Sequence, residues 1–373
     1  IVMPSQTVRG SMPYSDLPPD AFWKLCRQDS AFLLGDLYKP KFQLSPGDRV
    51  ATAGSCFAQN IGRYVRASEL ELVDTEPAPA AMSKDTAQRF GYGMFSARYG
   101  NIYNARQLRQ LLEDCLSETL RDCALWQNDG RWFDGLRPNT EPQGYDSADE
   151  MRAHRLDHLR RVRGIFDQTD VFIFTLGLTE TWQDSESGTV FPVAPGVVAG
   201  HHDPARHGCL NLGLADTLED LSAALTLMRD LAPKLRILLT VSPVPLTATA
   251  SGQHVLRATT YSKSVLRAVA EEVSALDPLI DYFPSYEIIT GAPYGSRFYA
   301  PNLRSVTPEG VAAVMSAFFG AHPALAPVER PLDAQQPLRA DEDNADDVIC
   351  EEAMLEAMAP AAPEAVVPRV APK

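Results

Sequence analysis

Two apolar runs of strand length, Asp170–Leu176 and Leu235–Val241, constrain this chain more than any other feature. A strand with one wet face alternates apolar with polar. A run that does not alternate is covered on both faces, as happens inside a parallel sheet between helices. Helical spacing surrounds these runs. Leu108, Leu111, Leu112 and Leu116 recur at helical intervals between Asn104 and Leu120, with Asn104 placed to cap the start. Ser147–Phe166, Thr217–Leu231, Tyr261–Leu276 and Thr307–Phe319 read as further helices, Ser147 and Glu150 having capping-box spacing. Arg49–Ala53, Glu69–Val73 and Leu279–Phe283 are further strand candidates. Strands alternating with helices of this length predict an α/β protein, a three-layer α/β/α sandwich around a mainly parallel sheet.

The rest of the 373 residues divides by composition. Residues 1–44 read as an arm rich in Pro, Ser and aromatics that packs on the domain, with a helical piece near Ala21–Gln28. Residues 45–322 are the domain. Residues 323–373 are rich in Pro, Ala and acid, a composition that cannot bury enough surface to order itself, so a disordered tail is expected, with a short transient helix at Cys350–Met358. Ten acidic and three basic side chains between Pro331 and Lys373 give that tail half of the net charge of −14. The acidic balance argues against nucleic acid as a partner. No apolar run approaches the ~18 residues of a membrane helix. Ile1-Val2-Met3-Pro4 lacks the basic and apolar regions of a secretory signal, and the six cysteines show no metal-binding or disulfide rhythm, so a cytoplasmic protein with reduced thiols is expected.

Chemistry concentrates at Gly54-Ser55-Cys56-Phe57-Ala58, where the first strand stops and an amphipathic helix running through Arg66 begins. A small-residue turn at such a junction bends sharply and aims N–H groups and one side chain over the sheet edge. Gly177-Leu178-Thr179-Glu180 and Ser242-Pro243-Val244-Pro245 end two more strands at the same edge, where open parallel sheets collect ligands. Trp126–Gly144, with a hairpin signal at Asn128-Asp129-Gly130, and Thr189–Cys209 read as irregular excursions. His154 and His158 lie four apart among Arg152, Arg155, Arg160, Arg161 and Arg163, and read as a basic solvated face.

The Gly54–Ala58 segment resembles the bacterial GSCFA-domain proteins, which are grouped with the SGNH/GDSL hydrolases. Further blocks fit in order: Arg89–Gly93, Gly100-Asn101-Ile102-Tyr103, Phe174–Glu180, Thr240–Pro245 and Tyr282–Glu287, together spanning roughly residues 45–320. The resemblance implies an SGNH-type, flavodoxin-like α/β fold. It also implies ester hydrolysis or acyl transfer on a small-molecule or glycan acyl ester, an O-acetyl group being the preferred case, with no cofactor and no metal. Cys56 falls at the nucleophile position. Ser55 is the alternative nucleophile or a helix cap, and an architectural turn without covalent chemistry is the third reading. Gly100 and Asn101 match the oxyanion block, while Gly177, Thr179 and Glu180 stand where a Gly-x-Asn-Asp block belongs. The expected Asp-x-x-His block is replaced by Asn302-Leu303-Arg304-Ser305, leaving Asn302 as a substrate-binding candidate. His202, in Gly200-His201-His202-Asp203, is the candidate base. A catalytically inactive glycan- or partner-binding protein that kept the fold and lost the triad is the competing reading. Glu287 is expected to orient a histidine or bind sugar hydroxyls. Trp126, Trp132 and Trp182 are candidate stacking platforms for carbohydrate or, equally, local packing groups.

Overall fold

A computed structural model of the chain describes residues 14–26, 37–328 and 351–360. Five parallel strands form the central sheet: β1 (Arg49–Gly54), β2 (Glu71–Leu72), β5 (Val171–Leu176), β9 (Arg236–Val241) and β10 (Ile280–Phe283). They lie in the order β10-β9-β5-β1-β2. Successive side chains point to opposite faces, and each face has its own core. Ala51, Ala53, Phe172, Phe174, Leu176, Ile237, Leu239 and Val241 meet one helical layer. Val50, Val171, Ile173, Leu238 and Phe283 meet the other. Uninterrupted apolar strands are what two buried faces require.

The first layer contains α3 (Ala105–Ser117), α4 (Ala148–Ile165), α5 (Leu214–Leu231) and α6 (Val255–Leu276). The second contains α1 (Phe57–Arg66), α7 (Ser285–Thr290) and α8 (Pro308–Gly320). Tyr38 and Leu44 from the arm join this second core, and Tyr38 donates a hydrogen bond to Asp281 at 3.0 Å. α2 (Lys84–Arg89) and α9 (Glu351–Ala357) are short peripheral turns of helix.

Caps follow the sequence closely. Asn104 accepts from the Gln107 N–H at 2.9 Å, and the Gln107 side chain reaches back to the Asn104 N–H. Ser147 caps α4 at the Glu150 N–H, but the Glu150 carboxylate takes the Asp146 N–H instead, so only half of that box forms. The hairpin β3–β4 (Leu125–Asn128, Arg131–Asp134) turns on Asp129 and Gly130, both at positive φ as a two-residue hairpin requires.

Three expectations need correction. The excursion after residue 189 contributes edges to an antiparallel sheet: β6 (Glu180–Asp184) pairs with β7 (Val190–Phe191) and β8 (His207–Asn211). Strands of two to five residues are too short to show the alternation that reveals longer ones. The helix expected at Tyr261 begins six residues earlier, where the His254 imidazole caps it by accepting the Leu256 N–H. The arm's helical piece is two 3-10 turns, Pro19–Ala21 and Trp23–Leu25, with residues 27–28 outside the described part. Of the expected acidic tail, only residues 323–328 and 351–360 are described, and Cys350 is not among them. No described helix is long and apolar enough to cross a membrane.

Candidate active site

After β1 the chain adds β2 on one side and then crosses to β5 on the other. That reversal opens a crevice at the carboxyl ends of β1 and β5. Gly54 ends β1 inside it at φ 137°, and a Cβ there would stand 2.4 Å from the Thr175 carbonyl oxygen. Only glycine fits so close a strand crossing. The Ser55 N–H then donates to the Thr175 carbonyl, and the Ile102 N–H donates to the Gly54 carbonyl at 2.9 Å. Main-chain bonds therefore hold the turn.

Cys56 occupies the N-cap position of α1, half-exposed, and its side chain makes no capping hydrogen bond. Ser55 carries the first helical turn with its carbonyl, which accepts the Ala58 N–H at 2.9 Å. Its side chain is 2% exposed, and its hydroxyl has no protein partner among the described residues. The arrangement leaves the residue-56 side chain at the positive end of a helix dipole, which favours a thiolate. Two other thiols are held protonated. Burial pushes Cys115 up to about 12, and burial with the Glu180 carboxylate pushes Cys209 up to about 11.

Two loops close on this turn. Tyr103 presents one carbonyl to the N–H groups of both Gly177 and Leu178, at 2.8 and 3.0 Å. Gly177 faces Ser55 so tightly that a Cβ would lie 3.0 Å from the Ser55 Cβ and 3.1 Å from the Tyr103 oxygen. The structure thus brings Ser55, Ile102–Tyr103 and Gly177–Leu178 together at the turn that carries Cys56. Asn101 is buried and lines a small cavity with Gln107, Gln110 and Arg155.

A family model described as the GSCFA family matches residues 49–318. The chain belongs to the GSCFA family. No curated protein matches it. Among solved structures it overlaps an acetyl xylan esterase (Est2A) from the rumen bacterium Butyrivibrio proteoclasticus, at 12% identity and a TM-score of 0.26, over 65% of this chain. The chain spans 56% of that esterase's length, and a likeness of this size carries no argument about activity.

Behind the GSCFA turn lies a buried ion network. Arg137 packs under Gly100, whose φ of 69° leaves a built Cβ 3.6 Å from the Arg137 Cβ. Its guanidinium donates to Asp134 at 2.8 Å and to the Arg98 carbonyl at 3.1 Å, and approaches Glu76 at 3.5 Å. Arg155 lies 3.6 Å from Asp114 and 3.5 Å from Asp134, and Arg121 closes on Asp114 at 2.7 Å. His158 is fully buried with Nδ1 2.7 Å from Glu76. Burial, reinforced by the Arg137 charge, lowers His158 to about 4, so it is neutral and donates through Nδ1. Burial alone would raise Glu76, but the His158 hydrogen bond, Arg137 and the Arg98 N–H prevail and hold it ionised, below the usual carboxylate range. The expected solvated basic face on α4 is corrected at these two positions. Met151, Arg155, His158, Val162 and Ile165 share the buried stripe, while Arg152, Arg160 and Arg161 pair with surface acids. That stripe was the available signal.

Other candidates have duties away from Cys56. His202 is exposed and sets its ring edge-on to Trp182, with centroids 5.3 Å apart, and beside His207, across the β6–β8 sheet. Thr179 is fully buried and gives its hydroxyl to Asn211 at 2.7 Å. Glu180 accepts from Thr249 and from the Ala250 N–H, clamping the loop after β9. Glu287 is taken by Arg267 at 2.6 Å and Tyr282 at 2.8 Å. Asn302 closes its own turn, accepting the Arg304 and Ser305 N–H groups and donating to the Ser305 hydroxyl. The Tyr299 hydroxyl ties this loop to the Pro243 carbonyl, so it does reach the sheet's carboxyl edge. Trp126 is buried on Phe191, so of its two readings it is local packing rather than a stacking platform. Among the described residues no cluster of three or more His, Cys, Asp or Glu could hold a metal ion. Sequence reasoning missed Asn211, Ser262 and Lys263, none of which sits in a recognisable spacing, and had Tyr103 only as the end of the Gly100–Tyr103 block.

Proposed function

We propose that this GSCFA protein is a thiol-dependent acyl-transfer enzyme, an ester hydrolase or acyltransferase, with an O-acyl glycan as the preferred substrate class. The observation that carries the reading is Cys56 at the N-cap of α1, half-buried where β1 ends beside β5. The Cys56 thiolate attacks the ester carbonyl, and the tetrahedral oxyanion collapses with loss of the alkoxide, which takes up a proton from solvent. Water or an acceptor hydroxyl then attacks the thioester carbonyl, gives up its proton and restores the thiolate. N–H groups at the start of α1 supply the positive field for the oxyanion. Asn101, next to the Ile102 bond that reaches Gly54, is the candidate amide donor, with Gly100 shaping its turn. The helix field, rather than a general base, ionises the thiol in this scheme, because His202 sits edge-on to Trp182 and the Asn302–Ser305 turn holds neither acid nor imidazole. The test is transient acylation by p-nitrophenyl acetate, followed by intact mass and peptide mapping. An adduct on Cys56 that turns over supports the reading, and a Cys56→Ala form with the parent's turnover sinks it.

The self-closed Asn302–Ser305 turn favours a second reading, a glycan-binding protein without catalysis. Saccharide binding with no acylation on any ester would select it.

A further inference from the structure

Lysine is seldom buried, because desolvating an ammonium costs several kcal/mol unless the charge is used. Lys263 on α6 is 2% exposed. Its neighbours along the helix are apolar core residues, Val265, Leu266, Val269 and Ala270, and a methionine or leucine would fill the same volume. The ammonium instead reaches the Gly177 carbonyl at 2.5 Å. The adjacent Ser262 hydroxyl, 1% exposed, accepts the Thr179 N–H at 2.9 Å. Two consecutive residues thus grip both ends of the 177–179 turn from the interior, while Gly177 presses on Ser55 from the same turn.

We propose that Lys263 is a positioning residue of the Cys56 site: it turns the Gly177 carbonyl inward, away from the crevice where the acyl oxygen becomes negative, and sets a positive charge beneath the thiolate. An unbound carbonyl at that edge would repel the oxyanion, and a buried cation is screened far less than one in water. The role in turnover rests on the acyl-transfer reading. The charge at Cys56 does not.

The experiment therefore compares alkylation of Cys56 in the full chain by iodoacetate, an anion, and by neutral iodoacetamide, at one pH, resolved by peptide mass. Lys263→Met is expected to lower the iodoacetate-to-iodoacetamide rate ratio roughly tenfold, and Lys263→Arg to keep it within about twofold of the parent. Ser262→Ala, which loosens the same turn but leaves the charge, is expected to leave the ratio unchanged. An unchanged ratio in a cooperatively melting Lys263→Met protein overturns the proposal. So does a Ser262→Ala drop as large as that of Lys263→Met. If Lys263→Met does not fold, Lys263→Gln, which keeps a donor but not the charge, decides by the same ratio. Absence of ester turnover in the parent would end the hydrolase reading and leave this ratio as informative as before.

Discussion

Two regions meet at the Gly100–Tyr103 segment and are built on opposite principles. The crevice side is made of small residues and main-chain hydrogen bonds: Gly54 under Thr175, Gly177 against Ser55, one Tyr103 carbonyl serving two N–H groups. The side behind Gly100 is made of charge, with Glu76, Asp114, Asp134, Arg137 and Arg155 buried together around a neutral His158. The first is specified by what its residues lack, the second by partners that must all be present. Changing residue 56 should therefore alter chemistry without stability, whereas any loss from the network should do the reverse.

The widest gap is expected at Cys56. Cys56→Ala should abolish acyl turnover, a fall of at least about a thousandfold, with a denaturation midpoint within error of the parent. A melting loss comparable to the network variants would break the contrast. Glu76→Ala leaves Arg137 and His158 without their shared carboxylate. It should cost about 3–5 kcal/mol in urea unfolding, and a cost under about 1 kcal/mol would mean that the network is wet.

Acid should find the network before it finds the crevice. His158 has a folded-state value of about 4 against 6.5 for an ordinary imidazole, so between those values the unfolded chain binds a proton that the folded chain refuses. Stability therefore rises with pH across that window and is lost as pH falls from about 6.5 to about 4. The loss is at most about 3 kcal/mol from this group. His158→Gln should flatten that slope, and an unchanged slope would assign it elsewhere. The smallest effect is expected at His202. Its contacts are with Trp182 and His207, so His202→Ala should slow Cys56 labelling less than about threefold. A loss matching Cys56→Ala would restore a histidine base.

The contrast also explains what could be read from the chain alone. Strands β5 and β9 were legible because both faces are covered, and the Gly54–Cys56 turn because glycine and a strand-to-helix junction leave a local signature. The network was not. Arg155 and His158 fall on the apolar stripe of α4, a sign of burial, but their partners Glu76 and Asp134 come from distant segments, so only three-dimensional proximity reveals the network. Thr179 and Glu180 were read as pocket groups from their place after β5, yet Asn211 and the Thr249–Ala250 loop engage them instead. Lys263 escaped notice for the same reason, since nothing near it in sequence announces Gly177.

One consequence follows from the way the turn after β1 is held. Its main-chain hydrogen bonds run from Ser55 N–H to Thr175, from Ile102 N–H to Gly54, from Ala58 N–H to Ser55 and from Gln59 N–H to Cys56, each made by atoms that every residue type but proline carries. That position is a socket. Serine or aspartate could be plugged into it with that main-chain wiring intact, so one codon is enough to change what the turn presents, while Gly54 and Gly177 have no such freedom.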